Sequence, residues 1–152
     1  MAVEEISLKR ELGRVQEILR SGVRIKLHIK GTSMLPLLDE RTDAVLLAVP
    51  ARVKPGDIAL YRLDTGDVAL HRIVGETSEG FVMQGDHLLD AEHGIRADSI
   101  IAVVERIFKK RAEFSVNHPI YRGYVLLIRR RFVRRVCRKW HAVLINRKAR
   151  NG

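Results

Sequence analysis

Short alternations of apolar and polar residues divide most of this chain into predicted β-strands. In residues 23–30, Val, Ile and Leu alternate with Arg, Lys and His, which is the period of a strand with one buried face. Apolar residues also alternate or run together at residues 45–49, 58–63, 68–74, 81–83 and 100–108. Pro and Gly clusters, such as Pro55-Gly56-Asp57, mark turns between these segments. The pattern predicts a mainly β domain in which 100–108, the most apolar strand, is central.

A longer period, with apolar residues three and four apart, predicts a helix at each end of the chain. Residues 4–20 form one amphipathic helix, which Ser21-Gly22 ends. After Pro119 an apolar stripe repeats at helical spacing: Tyr121, Val125, Ile128, Phe132, Val136, Trp140 and Val143. We expect a β-rich α+β fold in three segments: an N-terminal helix packed on the body (1–22), a β domain (23–116) and a basic amphipathic C-terminal helix (117–152).

The net charge of +10 is concentrated in the C-terminal segment. No acidic residue follows Glu113, whereas eleven Lys and Arg residues do, so the rest of the chain carries 17 basic and 18 acidic residues. A basic helix with an apolar stripe is typical of a helix that lies on an anionic membrane, where each cation contributes on the order of 1 kcal/mol. A helix packed on the body or on a partner, and phosphate binding by the tail, stay open. The membrane surface is favoured as partner over nucleic acid, since no base-reading motif is present.

The sequence also bears on the compartment. Residues 1–7 lack a basic start followed by an apolar run, so no signal peptide is predicted, and no apolar stretch approaches the roughly 20 residues of a spanning helix. The single cysteine, Cys137, excludes an internal disulfide framework and fits a reducing compartment. We expect a one-domain protein that associates peripherally with a membrane, on its cytoplasmic face.

The stretch Gly31-Thr32-Ser33-Met34-Leu35-Pro36 delivers a hydroxyl on a turn directly after the first predicted strand. A serine reacts usefully only when a base takes its proton and fixed donors receive the oxyanion. We assign Ser33 as the candidate nucleophile, with its own backbone N–H as an oxyanion donor. His71 is the candidate base, because imidazole titrates near neutral pH. Taken singly, such a serine is usually a turn residue and such a histidine is usually structural.

The order of four motifs strengthens the assignment. They are Gly31 to Pro36, Lys54-Pro55-Gly56-Asp57-Ile58, His71-Arg72-Ile73-Val74 and Gly85-Asp86-His87. In this order they resemble the signal peptidase I family, within the signal peptidase and LexA-like serine peptidase group, over roughly residues 23–108. Most bacterial members use a lysine as base. This chain has no lysine between Lys54 and Lys109, so it resembles the Ser/His branch of the archaeal and endoplasmic reticulum enzymes.

The resemblance implies a serine endopeptidase that cleaves a leader or signal-like peptide from a precursor protein near a membrane. It also implies a carboxylate that orients the histidine, for which Asp90 is favoured and Asp86 or Glu92 is possible. A catalytically inactive relative that binds peptides or tethers a partner to the membrane is the alternative.

No cofactor is predicted, and no metal site. His87, Asp90, Glu92 and His93 lie close together in the sequence, but their spacing matches no standard ligand motif. Such a cluster in a polar loop is usually solvated.

Overall fold

The computed structural model describes residues 8–128 together with residues 130, 135, 136 and 139. Within these residues the fold is mainly β, an eight-stranded antiparallel sheet with two α-helices, as the sequence predicts. The helices are α1 (Leu8–Arg20) and α2 (Pro119–Ile128). The strands are β1 (Ile25–His28), β2 (Ala44–Ala48), β3 (Ile58–Arg62), β4 (Val68–Thr77), β5 (Gly80–Gln84), β6 (Glu92–Ile95), β7 (Ile100–Lys109) and β8 (Ala112–Ser115).

Strand β7 is the centre of the sheet. The strand order is β1-β2-β7-β3-β4-β5-β6, and β8 pairs with β7 as an additional neighbour. The first residues of β7 pair with β3, and its last four pair with β8. Strands β3 and β8 therefore lie one after the other along β7. The prediction that residues 100–108 form a central strand is therefore confirmed.

The sheet buries apolar side chains on both of its faces. In β3, Ile58 and Leu60 point into one core, while Ala59 and Tyr61 point into the other, as the two-residue period of a strand requires. Both helices cover the first face: α1 contributes Leu12, Val15 and Leu19, and α2 contributes Tyr121. The second face is the smaller one, and it carries the histidine of the candidate site.

Helix α2 has one face on the body and one in solvent. Tyr121 and Ile128 are buried, whereas Ile120, Leu126 and Leu127 are 78%, 67% and 57% exposed. Phe132, Trp140 and Val143, which belong to the predicted apolar stripe, lie outside the described residues. No helix in the described part of the chain is long and apolar enough to span a membrane.

Two strands were not predicted from the sequence, namely β6 and β8. Their sequences, Glu-His-Gly-Ile and Ala-Glu-Phe-Ser, are only four residues long and contain at most two apolar residues, which is too short a pattern to predict a strand. Each forms because a longer neighbour offers an unpaired edge, β5 for β6 and the end of β7 for β8. Residues 4–7 of the predicted N-terminal helix lie outside the described residues.

Candidate active site

Ser33 lies on a turn that apolar side chains hold against the first face of the sheet. Met34 and Leu38, one and five residues beyond it, are 3% and 0% exposed, while Ser33 itself is half-buried. Gly31 has a positive φ of 86°, which suits a residue without a Cβ. The turn is thus anchored on the core while its serine stays near the surface.

The backbone of Ser33 meets the corner that follows β5. Its carbonyl accepts a hydrogen bond from the His87 N–H at 2.9 Å. A Cβ on Gly85 would approach the same carbonyl oxygen to 2.5 Å, so only glycine fits there without a shift. Gln84, which precedes Gly85, pairs with Arg72 of β4. The fold therefore brings the Ser33 turn beside the corner that adjoins the part of β4 carrying His71.

His71 lies in β4 opposite Ala59 of β3, so its side chain points into the second core. The residue is 8% exposed. Burial lowers the pKa of His71, although the charges of Glu92 and Asp86 act in the opposite direction. The imidazole is consequently neutral at neutral pH, which is the form a general base requires.

Of the three candidate carboxylates, Glu92 is the one that lies against His71. Glu92 Oε1 is 3.5 Å from His71 Nδ1. Asp90, favoured from the sequence, is exposed and has no such contact, because the chain turns into β6 only after it. The two-residue shift from Asp90 to Glu92 depends on where β6 pairs with β5, and Glu92 pairs opposite Met83, on the face that His71 shares.

Tyr61 is a site residue that the sequence did not reveal. Its hydroxyl lies 2.8 Å from His71 Nδ1 and donates a hydrogen bond of 2.5 Å to Glu92 Oε2. In the sequence, Tyr61 looks like one more core position of an apolar strand, and the side chain is indeed fully buried. Its alignment with His71 appears only once β3 and β4 are paired, since Tyr61 and His71 are diagonal neighbours across that pair.

Asp86 has a structural contact on the other side of β4. Arg72 donates to both Asp86 oxygens, at 2.8 and 2.6 Å, and both side chains are inaccessible to solvent. Two tyrosines of α2 complete the cluster: Tyr124 donates to Asp86 at 3.0 Å, and the Tyr121 hydroxyl accepts from Arg72 at 3.0 Å. The cluster fastens the corner after β5, and with it the neighbour of Ser33, to β4 and α2.

The reactive atoms of the candidate pair are not engaged. In the part of the chain that the structure describes, neither the Ser33 hydroxyl nor His71 Nε2 takes part in a hydrogen bond, including one to each other. The Ser33 N–H also donates no hydrogen bond among these residues. The Ser33 hydroxyl, the Ser33 N–H and His71 Nε2 therefore have no hydrogen-bond partner among the described residues.

One cleft among the described residues lies away from the candidate pair. A cleft of about 360 Å³ opens between the β2–β3 connection and the start of β7, and neither Ser33 nor His71 lines it. Over the described residues, no group of three His, Cys, Asp or Glu side chains is arranged to hold a metal ion.

Comparisons of the chain with protein-family models, with curated proteins and with solved structures find no match. The relation to the signal peptidase I family stays a prediction from the motifs quoted above.

Proposed function

We propose that the protein is a serine endopeptidase that cleaves a leader or signal-like peptide with a Ser33/His71 pair. One observation carries the proposal. A buried, neutral histidine has Nδ1 held by neighbouring side chains and Nε2 unengaged, on the strand that adjoins the corner beside Ser33. The sequence resemblance to the Ser/His branch of the signal peptidases supports the same assignment.

The chemistry assigns one role to each group. Ser33 Oγ attacks the scissile carbonyl carbon while His71 Nε2 takes its proton. The Ser33 N–H receives the oxyanion, and the imidazolium then protonates the leaving amine. Water hydrolyses the acyl-enzyme by the same route, with His71 again as base. Glu92 supplies a negative charge on the Nδ1 side, which stabilises the imidazolium.

An extended peptide has a natural place to bind. Strand β1 ends the strand order on one side of the sheet, so its outer edge has no partner strand among the described residues. It leads through Ile29 and Lys30 directly into the Ser33 turn. A peptide added along this edge would gain main-chain hydrogen bonds and run toward the nucleophile.

A fluorophosphonate probe tests the nucleophile. The probe should form a covalent adduct on wild type that peptide mapping places on Ser33, and Ser33→Ala should abolish it. Ser21→Ala is the matched control, since Ser21 is an exposed serine whose hydroxyl donates to Ile18. Labelling that survives Ser33→Ala, or that wild type never shows, would refute the assignment.

The alternative is a peptide-binding or membrane-tethering relative without turnover. It predicts that wild type and Ser33→Ala bind a candidate leader peptide with equal affinity and that neither cleaves it. A peptidase predicts that only wild type produces two fragments, which mass spectrometry distinguishes directly.

We also propose that the C-terminal segment attaches the protein to an anionic membrane surface. The supporting observation is the exposed apolar face of α2, formed by Ile120, Leu126 and Leu127, which immediately precedes the most basic part of the chain. Apolar insertion and cation attraction to anionic headgroups reinforce one another on such a helix.

Vesicle sedimentation tests the attachment. Wild type should sediment with vesicles of phosphatidylglycerol and phosphatidylcholine and release from them as salt rises, whereas Leu126→Glu/Leu127→Glu should stay in the supernatant. The control Val23→Glu/Val49→Glu makes the same charge change at exposed apolar positions outside α2. Equal sedimentation of the two double variants would overturn the role of this face.

A further inference from the structure

The hydroxyl of Tyr61 lies between the carboxylate and the histidine of the candidate site. It is 2.8 Å from His71 Nδ1 and 2.5 Å from Glu92 Oε2. The direct separation between Glu92 and His71 Nδ1 is 3.5 Å, at the limit of a hydrogen bond. Each hydrogen bond of the Tyr61 hydroxyl is therefore shorter than the direct contact between Glu92 and His71.

Counting protons fixes the direction of both bonds. The phenol has one proton, and an ionised carboxylate can only accept, so the Tyr61 O–H donates to Glu92. The Tyr61 oxygen then accepts from His71, and Nδ1 must be the protonated ring nitrogen. Burial, followed by the hydrogen bond and the charge of Glu92, raises the pKa of Tyr61, so the phenol keeps its proton across the working range. The lone pair of the imidazole is left on Nε2.

We propose that Tyr61 is a positioning residue that connects Glu92 to His71 and fixes the histidine tautomer in which Nε2 is the basic nitrogen. The assignment rests on the proposed function, because only a reaction that uses His71 as a base needs this tautomer. No proton crosses the phenol. When Nε2 gains the serine proton, two hydrogen bonds persist: the one from His71 Nδ1–H to Tyr61 and the one from Tyr61 to Glu92. Through them the negative charge of Glu92 stabilises the imidazolium.

The burial of Tyr61 explains how a side chain with a rotatable hydroxyl can fix the His71 tautomer. The Tyr61 ring is packed in the second core with Ile73 and Met83, both 0% exposed. Its centroid is 5.9 Å from that of His71, at an interplanar angle of 55°. The Tyr61 ring is therefore held in place by packing, and its hydroxyl can form hydrogen bonds only with His71 and Glu92.

The first test is nitrogen NMR of the His71 ring, which distinguishes a protonated from a bare ring nitrogen. Wild type at neutral pH should show Nδ1 protonated and Nε2 bare. Tyr61→Phe keeps the ring but removes the acceptor, so the two tautomers should mix, and the rate of fluorophosphonate labelling at Ser33 should fall about 10- to 100-fold, the equivalent of one strong hydrogen bond. The matched control Tyr121→Phe removes a buried hydroxyl that contacts Arg72 instead, and it should leave the His71 tautomer unchanged.

A second variant, at the half-exposed residue Glu92, should move the ring proton of His71 to the other nitrogen instead of mixing the two tautomers. Glu92→Ala removes the acceptor of the Tyr61 proton. The phenol is then free to donate to Nδ1, and the bare nitrogen should move from Nε2 to Nδ1. This shift of the bare nitrogen requires the Tyr61 hydroxyl as donor. The double variant Tyr61→Phe/Glu92→Ala should therefore not show the shift.

The outcomes separate the two proposals. A single Nδ1–H tautomer that persists in Tyr61→Phe, or a wild type that carries its proton on Nε2, would overturn the role of Tyr61 even if Ser33 reacts with the probe. Failure of Ser33 to react, with the NMR results as expected, would overturn the peptidase proposal while leaving Tyr61 as the residue that fixes the His71 tautomer.

Discussion

Arg72 and Asp86 are neighbours in sequence of His71 and His87, and they form the one ion pair among the described residues in which both side chains are fully inaccessible. Burying two charges costs several kcal/mol, which close geometry and extra hydrogen bonds offset. Here the extra bonds come from the carbonyl of Gly56 and from the two α2 tyrosines. The bonds and charge of Asp86 raise the pKa of Arg72 despite its burial, so the guanidinium is always charged.

Asp86→Asn tests this buried pair. The substitution leaves a guanidinium without a countercharge in the core, so the free energy of unfolding should fall by about 3–5 kcal/mol in urea denaturation. Asp98→Asn is the control, because it removes the charge from an exposed pair with Arg96 and should change stability little. Similar losses in the two variants would show that burial does not set the value of the Arg72–Asp86 pair.

Gly85 is the residue whose lack of a side chain lets the Ser33 turn reach the corner after β5. Gly85→Ala places a Cβ 2.5 Å from the Ser33 carbonyl, where the obstacle is backbone and must move. We expect a loss of about 1–3 kcal/mol in unfolding free energy and slower labelling of Ser33, because the turn is displaced from its corner.

Gly75→Ala provides the comparison for Gly85→Ala. The Cβ would have its nearest neighbours at 3.9 Å, which is ordinary contact. Stability should be unchanged or slightly higher, since alanine restricts the unfolded chain. Unaltered labelling in Gly85→Ala would contradict the placement of Ser33 at this corner.

At the residue scale, the sequence predicted the candidate nucleophile and base but not the side chains that contact them. Ser33 and His71 could be proposed because a turn serine and a strand histidine stand in motifs. Tyr61 could not, since a tyrosine in an apolar strand is normally explained by packing. Nor could Glu92 be separated from Asp90, because two residues of register decide which carboxylate meets Nδ1.

At the element scale, α2 is a helix with two apolar faces that have different environments. Tyr121 packs on the first core and Ile128 is buried, while Leu126 and Leu127 face solvent. The apolar stripe that includes Tyr121 and Ile128 was predicted from the sequence. The exposed apolar face was not, because the three- and four-residue spacing was used to identify only one apolar face of the helix. The longer strands were predicted because apolar and polar residues alternate within their own sequences. Strands β6 and β8 were not, because they form only through pairing with β5 and β7.

A pair of substitutions on adjacent residues tests the seating of α2. Ile128→Ala should lower the unfolding free energy by about 2–5 kcal/mol, since it opens a cavity at a position with no exposure. Leu127→Ala removes the same kind of side chain from solvent and should stay within about 0.5 kcal/mol of wild type. Equal effects on thermal or urea unfolding would mean that the helix does not pack with this face inward.

At the scale of the whole molecule, the candidate site exists only because distant segments converge. The Ser33 turn, β3, β4, the corner after β5 and β6 supply its parts, and the buried Arg72–Asp86 pair with α2 holds β4 and that corner together. Motif order in the sequence predicts that such segments belong to one site. The contacts between them follow from strand order and register, which no local pattern specifies.

The pairing of Ser33 with His71 is the central claim, and the pH dependence of Ser33 labelling tests it most directly. Because burial lowers the pKa of His71, neutral imidazole persists below pH 6.5, and the labelling rate should be level above that value and fall only as pH drops through the lowered pKa. His71→Ala should react at least about 100-fold more slowly, without that acidic limb. A His71→Ala variant that labels Ser33 at the wild-type rate, with the same pH profile, would contradict the account.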